Sequence, residues 1–283
     1  MTDARFAARR AAFRKLHAQG CFLIPNPWDP GAARLLAGLG FKALATTSSG
    51  FAWSQGRRDG ASPLEAVLEN CRAIVQATPL PVNADFENGH ATDLEELGEN
   101  VRRCVATGVA GLSIEDFTGL PDDPLYDVDT AVHRLRAARA AIDATGEDVM
   151  LIGRAECFLH GHPDPLQEAI RRLRAYAEAG ADCLYAPGLK TLDEIDAVVA
   201  AIAPKPINVL VGWPVPFTLA DLAAHGVRRV SVGGALAGAA WGAFMRTASL
   251  LAAGRFDAFA DNLRHPEIER RLVEPRANPS ASR

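Results

Sequence analysis

The chain repeats one unit eight times: a short run of apolar residues, then a stretch with helical spacing, usually closed by a glycine. The apolar runs fall at residues 21–26, 43–48, 82–85, 111–116, 149–154, 183–186, 207–211 and 229–232. Runs that are apolar throughout, rather than alternating, mark parallel strands buried on both faces. Helices are predicted between them over 63–77 (with Ser62 as cap), 93–107, 127–144, 165–179, 192–202, 219–224 and 235–253. Asp29 ahead of Pro30 predicts the capped start of a short helix that stops at 38–40. Eight such units in about 250 residues predict a (β/α)8 TIM barrel. An open doubly wound sheet is the rival, but no GxGxxG follows the first run, so its dinucleotide-binding form lacks support. A leading helix is predicted over 5–18, and a charged helical extension over about 254–276, ending in a polar tail at 278–283 that reads as unstructured. With no linker in between, the expectation is one domain over 1–283 whose barrel occupies about 20–253.

The totals exclude several classes of partner. A net charge of -4 and a pI near 6.0 leave no electrostatic footprint for nucleic acid. The apolar runs are far shorter than the roughly 20 residues that span a bilayer. Five cysteines without a CxxC pair predict free thiols in a reducing cytoplasm.

The active site of a barrel of this kind lies at the C-terminal ends of its strands. Strand two ends in Ser48-Ser49-Gly50, strand three in Asn83 and Asp85, and strand four in Glu115-Asp116. Strand five ends in Arg154 and Glu156, strand six at Tyr185, and strand eight at Gly233-Gly234. Asn83, Asp85 and Glu87 fall at i, i+2 and i+4, on one face if the strand continues. Oxygen donors so spaced suit a hard divalent cation. Several acids at one mouth need a cation or an arginine to neutralise them; a metal site and an ion-pair network around Arg154 both satisfy that need. His160 and His162 read as loop histidines and Cys157 as a small buried thiol. Lys190 stands a few residues after strand six, where a Schiff-base aldolase would need its amine.

Six motifs then stand in order: residues 25–33 (PNPWDPGAA), 47–50 (TSSG) with 56–59 (GRRD), 83–89 (NADFENG), 113–116 (SIED), 153–156 (GRAE) and 226–234 (GVRRVSVGG). Over residues 20–255 the chain resembles the phosphoenolpyruvate mutase/isocitrate lyase superfamily. The resemblance implies a barrel that binds Mg²⁺, with Mn²⁺ as a substitute, and a small 2-oxo or 2-hydroxy carboxylate. It implies cleavage or formation of a C–C or P–C bond through a metal-stabilised enolate, most readily C–C cleavage or decarboxylation. Its metal-shell acids match Asp59, Asp85 and Glu115, and its carboxylate-binding segment matches Ser49-Gly50, with Ser48 beside it. Its arginine that holds the substrate's oxyanion or second acidic group matches Arg154. Trp28 of the first motif and Tyr185 complete the expected substrate wall. A barrel of the same fold without catalysis is the alternative from another class.

The chain departs from the superfamily pattern in three places. Asn83 stands where an acid is usual, which is expected to weaken the cation or shift it onto Asp85 and Glu87. The segment between Ser49 and Asp59 is short. No Lys-Arg-Cys-Gly-His loop follows strand three, so chemistry that needs a thiol acid is not expected. Residues 117–127 match a loop that gates the substrate in relatives. The apolar helix at 235–253 and the tail after it predict a buried interface in a homodimer or homotetramer, since relatives exchange their last helix between subunits.

Overall fold

The computed structural model describes residues 4–273. Eight strands form one parallel sheet: β1 (Phe22–Ile24), β2 (Leu44–Ala45), β3 (Val82–Asp85), β4 (Gly111–Glu115), β5 (Met150–Arg154), β6 (Cys183–Tyr185), β7 (Ile207–Leu210) and β8 (Arg229–Ser231). From β2 to β8 each strand pairs with the next in sequence, and β8 pairs with β1. Between β1 and β2 a single backbone bond closes the ring, Ala45 N donating to Pro25 O at 3.1 Å. The arrangement is the predicted (β/α)8 barrel.

The helices are α1 (Ala4–Ala18), α2 (Pro30–Gly38), α3 (Ser48–Ser54), α4 (Leu64–Ala77), α5 (Leu94–Val105), α6 (Val128–Ala144), α7 (Pro165–Glu178), α8 (Leu192–Ile202), α9 (Leu219–Ala224), α10 (Ala235–Ala252) and α11 (His265–Val273). Most caps follow from the sequence: Asp29, Asp93, Asp127 and Asp164 each accept a backbone N–H of the first turn. Two expectations fail locally. Ser62 does not cap α4, because Pro63 takes the cap position and Ser62 Oγ donates to Gln55 Oε1 at 3.1 Å. Residues 48–50 do not continue β2. They start α3, because the Thr47 hydroxyl accepts the Gly50 N–H and turns the chain into a helix.

Two apolar layers build the core. The larger lies between the sheet and the outer helices. The smaller fills the barrel interior with Ile24, Ala45, Met150, Ile152 and Cys183, and is plugged from below by Phe13 of α1. Burial of this interior makes its few polar side chains conspicuous, among them Asn83, Asn208 and Arg229.

The C-terminal region differs from expectation. α10 buries only Ala237 and leaves Trp241, Phe244 and Met245 exposed. The tail is not one helix: Gly254, at φ +75°, ends α10, and a 3-10 turn at Asp257–Phe259 precedes α11. α11 packs against α2, where Arg34 Nη1 donates to Leu272 O at 3.1 Å. The expected extension at 274–276 and tail at 278–283 lie outside the described residues. Among the described residues no helix is long and apolar enough to cross a membrane, and all five cysteines are free.

Candidate active site

Strand register brings the site together. β4 and β5 place Glu115 beside Arg154, and β5 and β6 place Arg154 beside Tyr185. The Arg154 guanidinium donates to Asp85 Oδ1 at 2.6 Å and sits 2.9 Å from Glu115 Oε2 and from Glu156 Oε1. Its carbon lies 5.0 Å from the centroid of the Tyr185 ring, over the face of the aromatic. Burial opposes the charge on Arg154, but Glu115, Glu156 and Asp85 outweigh it and hold the guanidinium protonated.

The carboxylates around it are under strain of charge. Burial raises Glu115 well above the usual range, although Arg154 pulls the other way. Glu156, only 3% exposed, is pushed up to about 7, chiefly by burial. Glu87 is pushed up to about 8, by burial first and then by the charges of Asp85 and Asp59. Asp59, at the rim, is also raised, by desolvation and then by Asp85, while the Ser48 hydroxyl and Arg154 lower it.

Further residues hold these groups in place. Asp85 Oδ2 accepts the Ser48 N–H at 2.9 Å, and the Thr46 hydroxyl accepts the Asp85 N–H at 2.8 Å. Asp116 Oδ1 accepts the Glu156 N–H, and its Oδ2 is held by Arg172 Nη1 and the Tyr176 hydroxyl. Arg134 donates to Asn88 O, Ala91 O and Thr92 O and so fixes the loop after β3. That loop carries Glu87 at φ +47°, a left-handed backbone that disfavours a side chain. Gly89 follows at φ +81°, where a Cβ would lie 2.1 Å from Leu97 Cδ1.

Two connected spaces open here. An outer cavity of about 620 Å³ is lined by Asp59, Glu87, Glu115, Arg154, Glu156 and His90, among others. An inner one of about 170 Å³ runs down past Ser48, Ser49 and Tyr185 to Asn83 and Arg229. The loop at 117–127 forms a small antiparallel flap, with Phe117 paired to Leu125 and Tyr126 N donating to Asp116 O. Its Phe117 ring stacks on His160 at the cavity rim, 4.2 Å between centroids.

Of the residues expected at the site, Ser48, Asp59, Asp85, Glu87, Glu115, Arg154 and Tyr185 are brought together. Ser49 lines the inner cavity. Gly50 is packed behind it against Thr47, Trp28 and Ala237, and Trp28 lines neither cavity. Asn83 sits one layer below the carboxylates, with Oδ1 toward Arg229. Lys190 is exposed and lines neither cavity. Cys157 is buried, with Sγ donating to Pro165 O and the thiol pushed up to about 12 by burial. Asn26, Asn208 and Arg229 are functional candidates that sequence reasoning misses; Asn26 and Arg229 lie within two of the six motifs, and Asn208 is a polar residue inside an apolar strand.

The donor set is all oxygen, which fits a hard divalent cation. Glu87 accepts no hydrogen bond and joins no ion pair from its side chain among the described residues, and its raised carboxyl marks a surplus of negative charge that a cation would relieve. Among the described residues, no three Asp, Glu, His or Cys side chains are gathered closely enough to hold a metal ion together. Arg154 stands among the acids in this arrangement.

A parallel barrel with a charged cluster at its C-terminal mouth is the architecture of a TIM-barrel enzyme. The family model described as phosphoenolpyruvate phosphomutase matches residues 13–252. The chain belongs to this family, within the isocitrate lyase/PEP mutase superfamily. A crystal structure of a candidate lyase/mutase from Burkholderia cenocepacia J2315 is 45% identical, covers 98% of this chain and 100% of its own, and has a TM-score of 0.92. An oxaloacetate decarboxylase from Rhodopseudomonas palustris (strain HaA2) is 34% identical over 222 residues, 74% of this chain and 72% of the relative. The structure of 2,3-dimethylmalate lyase is 25% identical, with a TM-score of 0.81 and coverage of 96% and 95%. These relatives place the chain among lyase-type enzymes.

Proposed function

We propose that the chain cleaves the C–C bond one carbon away from the 2-oxo group of a small dicarboxylate, with decarboxylation of oxaloacetate at C3–C4 as the leading reaction. The observation that carries this is the convergence of Asp85, Glu115 and Glu156 on Arg154 beside the cavity. Support also comes from relatives named for oxaloacetate decarboxylation and dimethylmalate cleavage. Loss of CO2 leaves the bonding electrons on the former 2-oxo oxygen, and a fixed guanidinium opposes that charge without reorganising. Asp59, Asp85, Glu87 and Glu115 are the oxygen donors that would have to close together to hold Mg²⁺ or Mn²⁺, since they are not gathered around one point in this arrangement. When bound, such an ion polarises the 2-oxo group as a Lewis acid. Ser48 and Ser49 orient the substrate carboxylate, Tyr185 supports Arg154 from below, and the Phe117–His160 stack shields the reacting centre from water. We place the enzyme in the cytoplasm as a homo-oligomer that covers the apolar face of α10.

The test is turnover of oxaloacetate, 2,3-dimethylmalate and phosphonopyruvate with Mg²⁺ and with EDTA. Metal-dependent release of pyruvate from oxaloacetate is expected. Activity on none of the three, or activity unchanged by EDTA, refutes the reading.

A further inference from the structure

The barrel interior carries a second guanidinium that the reaction above does not use. Arg229 begins β8 and is 3% exposed. Its Nε donates to Asn208 Oδ1 at 2.8 Å and its Nη1 to Asn83 Oδ1 at 3.5 Å. Asn208 is held in turn, its Nδ2 donating to Ser231 Oγ at 2.9 Å. Both acceptors are neutral amides, and no carboxylate among the described residues lies within ion-pair distance of Arg229. Arg154, one layer above, has three.

A buried charge is ordinarily paired, because leaving water costs it far more than neutral acceptors return. A guanidinium has five N–H donors, and two are engaged here. Arg229 also lines the floor of the inner cavity with Asn83, Ser113 and Ser231. The cavity's 170 Å³ is several times the ~30 Å³ share of one water, room for an acid of a few carbons. A carboxylate accepts two parallel N–H bonds from an arginine fork, the geometry this floor leaves unfilled.

We propose that Arg229, steadied by Asn208 and Asn83, is an anion subsite on the barrel floor that takes one carboxylate of the substrate. The assignment rests on the substrate being a small dicarboxylate, as proposed above. It gives Asn83 a role other than metal ligand. An acid at position 83 would pair with Arg229 and occupy the subsite from within, whereas an amide holds the guanidinium without neutralising it. The subsite also sets a preference: a dianion satisfies floor and mouth together, and a monocarboxylate leaves one end unmatched.

Calorimetric titration with oxalate in EDTA tests this, because no metal–oxalate complex contributes. Wild type is expected to bind, and Arg229→Met to bind at least tenfold more weakly, with Arg229→Lys in between. Asn83→Asp keeps the guanidinium and the side-chain shape, so it carries the test if Arg229→Met does not fold. It too should weaken oxalate at least tenfold. Unchanged affinity in Arg229→Met or Asn83→Asp overturns the subsite, as does a wild type that binds no oxalate. The two proposals separate cleanly. Oxalate binding through Arg229 without oxaloacetate turnover leaves the subsite and removes the reaction. Turnover with KM unchanged in both variants does the reverse.

Discussion

Asn26 is the side chain on which the barrel seam turns, and its removal has a cost that can be worked out. Its Nδ2 donates to Thr46 O at 2.9 Å, and its Oδ1 accepts Val232 N at 2.9 Å and Gly233 N at 3.0 Å. One amide thus ties the end of β1 to the ends of β2 and β8, across the gap where a single backbone bond joins β1 to β2. Asn26→Ala leaves the Thr46 carbonyl buried without a donor, at about 1–3 kcal/mol. Gly233 lines the inner cavity, where its N–H can recover water, so the two N–H groups together lose about 1–2 kcal/mol. The sum is about 3 kcal/mol, against about 0.5 for a surface change. At roughly 2–4 °C per kcal/mol for a large domain, Tm should fall by about 10 °C. Asn26→Asp keeps both acceptor contacts but sets a second oxygen against the Thr46 carbonyl and buries a charge, so its loss at neutral pH should be at least as large. Urea denaturation followed by circular dichroism, with the thermal midpoint alongside, gives both values. A loss below about 1 kcal/mol in Asn26→Ala would show that the seam is held by packing and not by this side chain.

Other outcomes follow from the charges at the mouth. Arg154→Lys retains a charge but loses the planar fork that reaches three carboxylates, so kcat on the substrate should fall at least a hundredfold; a fall below tenfold argues against the oxyanion role. In metal-free protein, Glu87 holds its proton up to about 8 in the folded state, against roughly 4.3 in an unfolded chain. A raised carboxyl pKa favours folding while the proton is on, so stability falls as pH climbs between those values, and the full penalty stands above 8. Glu87→Gln should match wild type near pH 5 and exceed it at pH 8.5. The gain should be about 2 kcal/mol, less than half of the ~5 that the shift alone implies, because the cavity is wet. A Tm difference that does not vary with pH would refute it.

How much of this could be read from residue order is uneven, for physical reasons. β3 at Val82–Asp85, α8 at Leu192–Ile202 and α9 at Leu219–Ala224 fall where the pattern puts them, because apolar runs and caps are local signals. The gathering of Asp85 and Glu115 on Arg154 also follows, since strand ends of a barrel must meet. α3 was missed because one hydroxyl, Thr47 Oγ1, decides between strand and helix there. Arg229 was missed because its meaning depends on Asn83, 146 residues away. Position in a motif puts Trp28 near the substrate, yet motif order carries no information about which way a side chain turns, and Trp28 lines neither cavity.

The exposed face of α10 bears on how the protein behaves on dilution. A helix that buries one residue of its eighteen contributes little to a lone chain and much to an assembly that covers it. On the proposed homo-oligomer, folding and association become one equilibrium, and the melting point becomes a function of concentration. A hundredfold dilution through the dissociation range would withdraw up to about 2.7 kcal/mol. The protein's durability would then depend on how much of it the cell makes.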